Sequence, residues 1–258
     1  MPPPIHTNAP RLPAACYSAP MKLHVLPFSL GLGLAIALLI TGCRPSGTAQ
    51  PSADSTHSAT VPAGIDPRLQ AQLAAASGFD YYLLNLSWSP EFCHGHPDAA
   101  ECASHLTFVL HGLWPQNNDG GYPENCASVP SPSNSPDPSA FADIYPDAGL
   151  LQHEWRTHGV CTGLSADVFF SAARAAIRSV AIPHAFSNLD HQTSMTPDEI
   201  LSSFAAANPS IPRASLALSC GNNYLTAVEV CLDKTLHPIA CGPIRSCRAN
   251  VVRIPPPR

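Results

Sequence analysis

The sequence has few charged side chains and no excess of basic ones. Charged residues make up 12% of the 258-residue chain, with 13 Lys and Arg against 18 Asp and Glu. Two basic residues and no acidic residue precede Cys43, so the part that follows has 13 less 2, or 11, basic residues and a net charge of about −7. Proteins that coat or store nucleic acid need a strongly basic surface. The charge balance therefore excludes that class but leaves room for a localised catalytic site.

The sequence also lacks an apolar run long enough to cross a bilayer in its N-terminal part. The run at residues 30–40 is short, whereas a transmembrane helix needs ~20 residues. It follows a basic stretch near Met21 and ends before Thr-Gly-Cys43, which is typical of a bacterial signal peptide with a lipobox. We predict a signal peptide at residues 21–43 with a lipid on Cys43. The alternative is an ordinary signal peptide with an incidental cysteine.

Proline is frequent but unevenly distributed, with 29 residues gathered near both ends, at 45–67 and at 130–138. These stretches are predicted to be tails, a tether and a loop. Residues 1–20 are interpreted as an extension or an over-called start, residues 44–77 as a flexible tether rich in Ser, Thr, Ala and Pro, and residues 78–258 as one folded domain. Export is expected, to the periplasm, to a membrane as a lipoprotein, or to the medium.

Closely spaced Cys-x-x-Cys pairs, which are typical of zinc sites, are missing. Setting Cys16 and Cys43 aside leaves eight of the ten cysteines, at positions 93, 102, 126, 161, 220, 231, 241 and 247. A disulfide framework in an oxidising compartment is the better interpretation, and no metal site is predicted. Spacing alone leaves 105 connectivities open.

Hydrophobic and capping patterns predict strands at both ends of the domain and helices between them. Ser165 is a plausible N-cap, and Thr196 to Glu199 forms a capping box. The predicted strands lie at 79–88, 106–113 and within 214–232, and the predicted helices at 150–158, 165–180 and 197–207, whereas 127–140 fits neither element. The predicted fold class is α+β, a single disulfide-bonded domain with a central, largely antiparallel sheet flanked by helices.

Two segments carry side chains suited to chemistry. His111 lies at the predicted end of a strand, and at 100° per residue His153, Glu154, Thr157 and His158 share one face of a helix. The alternatives are a core histidine, a solvated helix face and, for His94 and His96, a loop surface or a stray metal site. A zinc protease would need histidines four residues apart, and these are five apart. Spacing favours a histidine acid–base site only modestly.

Residues 108–115 and 153–161 resemble the two active-site segments of the ribonuclease T2 family, in the expected order and separation. The similarity extends from about Phe79 to Cys247. It implies an α+β fold and an exported endoribonuclease that cleaves single-stranded RNA, with no cofactor and no metal. We expect a monomer whose partner is RNA and whose only membrane contact is through Cys43. The family pattern implies the disulfide bonds Cys93–Cys102, Cys126–Cys161, Cys220–Cys247 and Cys231–Cys241.

The resemblance also implies roles for individual residues. His158 matches the base that activates the 2′-hydroxyl, and His111 matches the acid that protonates the leaving 5′-oxygen, with 2′,3′-cyclic phosphate ends as products. His153 and Glu154 match residues that bind the phosphate. Two aromatic residues, Trp114 and Tyr122, match positions that stack on a base. Core packing is their alternative, and for Tyr122 it is about equally favoured.

Two positions depart from the family pattern. Thr157 stands where lysine is usual, and Val160 where threonine is usual. Losing the lysine removes a cation from the place where negative charge develops, which puts catalytic strength in doubt. One rival hypothesis is a weakly active or inactive relative that acts as a surface binding protein. The other is a disulfide-rich interaction module with no role in RNA chemistry.

Overall fold

The computed structural model describes residues 65–126 and 136–257. Five α-helices and six strands are found there, with short 3-10 turns between them. The helices are α1 (Pro67–Leu73), α2 (Ser89–Gly95), α3 (Ala148–Thr157), α4 (Ala166–Arg178) and α5 (Pro197–Ala207). The strands are β1 (Tyr81–Trp88), β2 (Phe108–Gln116), β3 (Thr193–Met195), β4 (Leu216–Gly221), β5 (Tyr224–Leu232) and β6 (Val252–Ile254).

All six strands form one sheet with the order β2-β1-β5-β6-β3, and β4 pairs with β5. Every pairing is antiparallel except a parallel bridge between Tyr224 of β5 and Arg253 of β6. The α+β class and the largely antiparallel sheet are therefore confirmed.

The two faces of β1 have different partners. Leu84, Leu86 and Trp88 are fully buried in the main core, which also includes Phe169 and Phe170 of α4. The opposite face begins with an apolar cluster that contains Tyr81 and Leu83. Farther along the same face the side chains become polar, because alternate residues of a strand point the same way and the next ones are Asn85 and Ser87. This change of character places polar groups beneath the site described below.

Local sequence signals account for the three longest helices. The Ser165 side chain caps α4 by accepting from the Val168 amide, and the capping box of α5 is complete. The third helix, α3, begins two residues before the predicted start, because the Asp147 side chain accepts from the Gly149 amide and caps it there.

The four disulfide bonds have the pairing that the family resemblance implies, and that prediction is confirmed. Cys126–Cys161 ties the loop after β2 to the turn after α3. The Asn125 amide reinforces this junction by donating to the Thr157 carbonyl at 2.8 Å. The bond therefore holds together the two segments that carry the predicted catalytic residues.

The structure corrects the predicted start of the domain and the predicted C-terminal tail. Within the predicted tether, α1 is folded, Leu73 is fully buried in the main core, and the Ser77 amide donates to the Thr162 carbonyl at 3.1 Å. The folded part thus reaches back to at least residue 65. At the C-terminus, the proline-rich segment is no tail, since β6 joins the sheet and the Trp88 indole donates to the Pro255 carbonyl at 3.0 Å.

The predicted signal peptide, Cys43 and residues 44–64 of the tether lie outside the described residues, as does the loop at 127–135. In the parts that are described, no single helix is long and apolar enough to cross a membrane. One pair, 148–162 and 166–178, fits by length and composition only when its two helices, bent by 103°, are taken together.

Candidate active site

His111 occupies a β-bulge inside β2. Asn85 of β1 pairs with Gly112, and the next residue, Leu86, pairs with Leu110, so His111 is the extra residue between them. A bulge changes the direction of a side chain relative to the regular pleat. The strand was predicted to stop before Trp114, but it continues to Gln116, because β2 is an edge strand where a proline at position 115 is tolerated.

Two hydrogen bonds fix His111 from behind. Its ring Nδ1 lies 2.9 Å from the Ser87 hydroxyl oxygen on β1, and its backbone carbonyl accepts from the buried Tyr145 hydroxyl at 3.1 Å. The side chain remains 41% exposed and lines two cavities, and no described hydrogen bond occupies Nε2. The ring can therefore exchange a proton with a bound molecule through Nε2.

Glu154 is a buried carboxyl group that lacks an ion pair with a permanent cation among the described residues. The Trp114 indole donates to its Oε2 at 2.9 Å, while its Oε1 has no hydrogen-bond partner and lies 3.7 Å from His111 Nε2. Burial raises the pKa of Glu154 to about 8, and the indole bond opposes that rise. A buried acceptor without a partner is costly, and functional sites are a common reason to keep one.

His158 follows the last residue of α3 and is half-buried. Its ring lies 5.4 Å from that of Trp114, and its Nδ1 has no partner among the described residues. Burial lowers the pKa of His158 to about 4, with further lowering from the charges of His153 and His111. The ring is therefore neutral at neutral pH and is suited to accept a proton.

The pKa of His111 is also lowered, first by burial and then by the nearby charge of His153. An acid catalyst needs the charged ring, so a negative charge close to Nε2 must restore that form. Glu154 at 3.7 Å can supply one when it is ionised, and so can a bound phosphate. Because both groups lie so close, they act as a coupled pair.

Trp114 connects the three titratable residues. Its ring makes an edge contact with His111 at 5.3 Å, a tilted contact with His158 at 5.4 Å, and a hydrogen bond to Glu154. The structure thus brings four of the predicted residues together, and it assigns Trp114 a scaffolding contact that the sequence did not suggest.

The remaining predicted residues lie at the edge of this group. His153 is exposed on α3 and lines a cavity of 250 Å³ with His111. Tyr122 is 55% exposed on the loop after β2, and among the described residues no hydrogen bond or ring contact joins it to the other predicted site residues. The helix-face prediction holds for Glu154, which faces His111, and for Trp155, which is buried against α4 on the other side.

Gly112, Ser87 and Tyr145 are site residues that sequence reasoning did not single out. A Cβ atom on Gly112 would lie 2.1 Å from Glu154 Oε2 and 2.3 Å from Trp114 Nε1. The strand must therefore lack a side chain at this position for the Glu154 carboxyl group and the Trp114 indole to form their hydrogen bond. The glycine directly after His111 was a usable signal, whereas nothing in the sequence marked Ser87.

Cavities flank His111 on more than one side. A second one, of 350 Å³, is lined by His111, Ser87, Phe92 and the exposed His94 and His96, whose positions on and just after α2 differ from the predicted loop. A third cavity, of 460 Å³, is lined by residues around the Cys93–Cys102 bond and does not include His111. Within residues 65–126 and 136–257, no three His, Cys, Asp or Glu side chains are grouped to hold a metal ion.

Comparison of the sequence with known proteins finds relatives that are named ribonucleases. A ribonuclease from Aeromonas hydrophila is 46% identical over 102 residues, which are 38% of this chain and 45% of the relative. A probable ribonuclease from Haemophilus influenzae is 28% identical over 183 residues, which are 65% of this chain and 62% of that relative. The chain thus spans less than two thirds of the length of either relative.

Solved structures show the same fold. The RNase-related protein from Calystegia sepium superposes with a TM-score of 0.57 at 23% identity, over 70% of this chain and 100% of the plant protein. A sequence model of the ribonuclease T2 family matches residues 79–241, a range that contains Trp114 and the three residues grouped around it. Since the match covers more than half of the 258 residues, the chain belongs to the ribonuclease T2 family.

Proposed function

We propose that the protein is an endoribonuclease that cleaves single-stranded RNA by transesterification to 2′,3′-cyclic phosphate ends. The observation that carries this proposal is the grouping of two histidines and one buried carboxyl group around Trp114, with His111 Nε2 3.7 Å from Glu154 Oε1. Family membership and the ribonuclease names of the relatives support it.

His158 is the base in this mechanism. Its lowered pKa keeps the ring neutral, so it can remove the proton of the 2′-hydroxyl as that oxygen attacks the adjacent phosphorus. The attack forms a bond from O2′ to phosphorus and leads to departure of the 5′-oxygen. The ring, now charged, returns its proton to solvent, or gives it to the 2′-oxygen that departs when water later opens the cyclic phosphate.

His111 is the acid, and it gives its Nε2 proton to the leaving 5′-oxygen. Glu154 and His153 act on the phosphate: His153 approaches from the exposed surface of α3, and Glu154, whose raised pKa favours its protonated form, donates a hydrogen bond to a phosphate oxygen. A bound phosphate brings negative charge next to both groups, which favours their protonated forms. Binding of the substrate therefore favours the protonated form of His111, which its cleavage requires.

Unpaired RNA is the expected substrate, because an exposed aromatic ring near the site can stack on a splayed base. Tyr122 offers such a ring on the loop after β2, and Trp114, which is half-buried, offers a second one. The acidic chain leaves few cations for phosphates outside the catalytic group, so affinity should depend shallowly on salt.

Incubating residues 44–258 with single-stranded RNA in EDTA tests the proposal against both rivals. We expect cleavage of RNA and none of DNA of the same sequence. Binding without cleavage would favour the inactive relative, and neither binding nor cleavage would favour an interaction module. A requirement for added divalent metal would contradict the histidine mechanism.

The pH dependence follows from the two histidines. Activity requires His158 without its proton, so kcat/KM should rise through about pH 4. It also requires His111 with its proton, so kcat/KM should fall again at a pH below 6.5, the ordinary histidine value, because burial lowers the pKa of His111. A bell-shaped profile in the acidic range is the expected result. It should be measured on a dinucleotide whose bases do not titrate in that range. A maximum above pH 7 would contradict these roles.

Thr157 is the position where a family lysine is missing. It is the last residue of α3 and is half-buried, whereas Arg156 is exposed. We expect Thr157→Lys to raise kcat by lowering the barrier by up to roughly 2–4 kcal/mol, with little change in KM. Arg156→Ala, the matched test for a substitute cation, should change activity little. Loss of activity in Arg156→Ala together with a decrease in Thr157→Lys would show that Arg156 has the lysine's role.

We also propose export with a lipid on Cys43. The eight cysteines of the described domain are all disulfide-bonded, which requires an oxidising compartment, and one relative from Solanum lycopersicum is named an extracellular ribonuclease. Replacing Cys43 with serine should release the protein from membranes without changing its specific activity. Wild-type protein that is fully soluble and begins at another residue would contradict the lipid anchor.

A further inference from the structure

A row of polar side chains crosses three strands beneath His111. On β1, Asn85 and Ser87 alternate with core leucines and therefore point away from the main core. Asn85 pairs directly with Glu229 of β5, and the two are only 5% and 6% exposed. Ser219 of β4 lies beside Glu229 on its other side.

Hydrogen bonds join these residues into one chain. Ser219 Oγ donates to Glu229 Oε1 at 2.9 Å, and Asn85 Nδ2 donates to the same oxygen at 3.2 Å. Ser87 Oγ donates to Asn85 Oδ1 at 3.5 Å, a long contact, and lies 2.9 Å from His111 Nδ1. Because the Ser87 proton is directed to Asn85, its oxygen is left to accept the Nδ1 proton of His111. Successive donors thus lead from the histidine to the carboxylate.

Glu229 is an expensive residue for this place in the fold. Burial raises the pKa of Glu229, while the hydrogen bonds from Ser219 and Asn85 act in the opposite direction. No ion pair among the described residues includes it. An apolar side chain would extend the neighbouring cluster of Leu83 and Ala217 without this cost. The retained acid therefore calls for a role beyond packing.

We propose that Glu229, acting through Asn85 and Ser87, is a positioning residue for His111. It fixes the ring in the orientation in which the Nδ1–H group donates a hydrogen bond to Ser87, and it favours the charged form of the ring. The proposal rests on the proposed function only for its catalytic consequence, since His111 must hold a proton to act as the acid. Glu229 supplies a second source of negative charge, which lies behind the ring on the side opposite Glu154.

Other charged groups also face His111, and they stay in place in the variants below. Glu154 and His153 approach from α3, and His158 follows that helix. The groups that line the cavities around the ring from other segments are Glu91, His94, His96, Glu101 and Asp147. A difference in the His111 titration between wild type and a Glu229 variant therefore reports on the hydrogen-bond chain beneath the ring.

The titration of His111, followed by NMR of its ring, tests the effect of the hydrogen-bond chain without any substrate. Glu229→Gln keeps the shape but removes the charge, and we expect the His111 midpoint to fall by about 0.5 to 1 pH unit. Ser87→Ala should lower it similarly, and Ser87→Thr, which keeps the hydroxyl, should restore it. In the Ser87→Ala background, Glu229→Gln should add little. Asp190→Asn, which removes an exposed carboxylate in the loop before β3, is the control and should not shift the midpoint.

The pH profile of RNA cleavage supplies the second readout. In Glu229→Gln the alkaline limb of kcat/KM should move to lower pH, so that activity falls three- to ten-fold on that limb and little at the acidic maximum. An equal loss at every pH, or an unchanged His111 midpoint in both Glu229→Gln and Ser87→Ala, would overturn the proposal. If wild type cleaves no RNA, the proposed function fails, and the NMR titration alone decides whether the chain acts on His111.

Discussion

Replacing His158 with alanine is expected to reduce kcat/KM for RNA by about 10²–10⁴-fold, and His111→Ala should cause a loss of the same order. The two rings act at opposite ends of one displacement. Without His158 nothing removes the 2′-proton, and without His111 the 5′-oxygen leaves unprotonated. Because the rings serve one step, the double variant should be little worse than either single variant.

Steady-state cleavage of a fluorogenic RNA dinucleotide measures this effect, with thermal unfolding as a check on the fold. His184→Ala is the matched control, since His184 is an exposed histidine in a turn between α4 and β3. It should retain wild-type activity. If either His111→Ala or His158→Ala keeps activity within a few-fold of wild type, the assigned acid–base pair is wrong.

Gly112→Ala is expected to produce the second large effect. The new Cβ would lie 2.1 Å from Glu154 Oε2 and 2.3 Å from Trp114 Nε1, distances that no real contact allows. The indole and the buried carboxyl group must separate, which breaks their hydrogen bond and displaces Glu154 from His111. We expect a loss of kcat of at least ten-fold, together with destabilisation of roughly 1–3 kcal/mol from overpacking.

Gly95→Ala is the matched control for that change. Gly95 is the last residue of α2, and a Cβ atom there would have nothing within 4 Å. Its activity and stability should stay close to wild type. Equal behaviour of the two alanine variants would show that the close approach at Gly112 does not hold the site together.

Where a structural element depends on interactions between residues that are close in the sequence, the sequence was sufficient to predict it. Ser165 and the Thr196–Glu199 box mark the starts of α4 and α5, because capping groups bond to amides only two or three residues away. His111, Glu154 and His158 were found because each is part of a recognisable segment. The disulfide pairing came from the family resemblance, since spacing left it open.

What the sequence did not reveal depends on contacts between distant residues. The bulge at His111 arises from the register of β2 against β1, and Ser87 and Glu229 reach the site only through that pairing. The burial of α1 depends on its packing against the core that includes α4, so residues 67–73, with their polar surroundings, were wrongly predicted to be tether. The raised pKa of Glu154 is likewise a consequence of tertiary burial.

The products formed from a dinucleoside monophosphate test the central claim most directly. Wild-type protein is incubated in EDTA with the ribose compound and, separately, with its 2′-deoxy analogue, and the products are resolved by chromatography and mass spectrometry. The 2′-hydroxyl is the nucleophile in this account, so the ribose compound should give a nucleoside 2′,3′-cyclic phosphate and a nucleoside with a free 5′-hydroxyl, and the deoxy analogue should remain intact. Cleavage of the deoxy analogue, or the appearance of a 5′-phosphate, would contradict it.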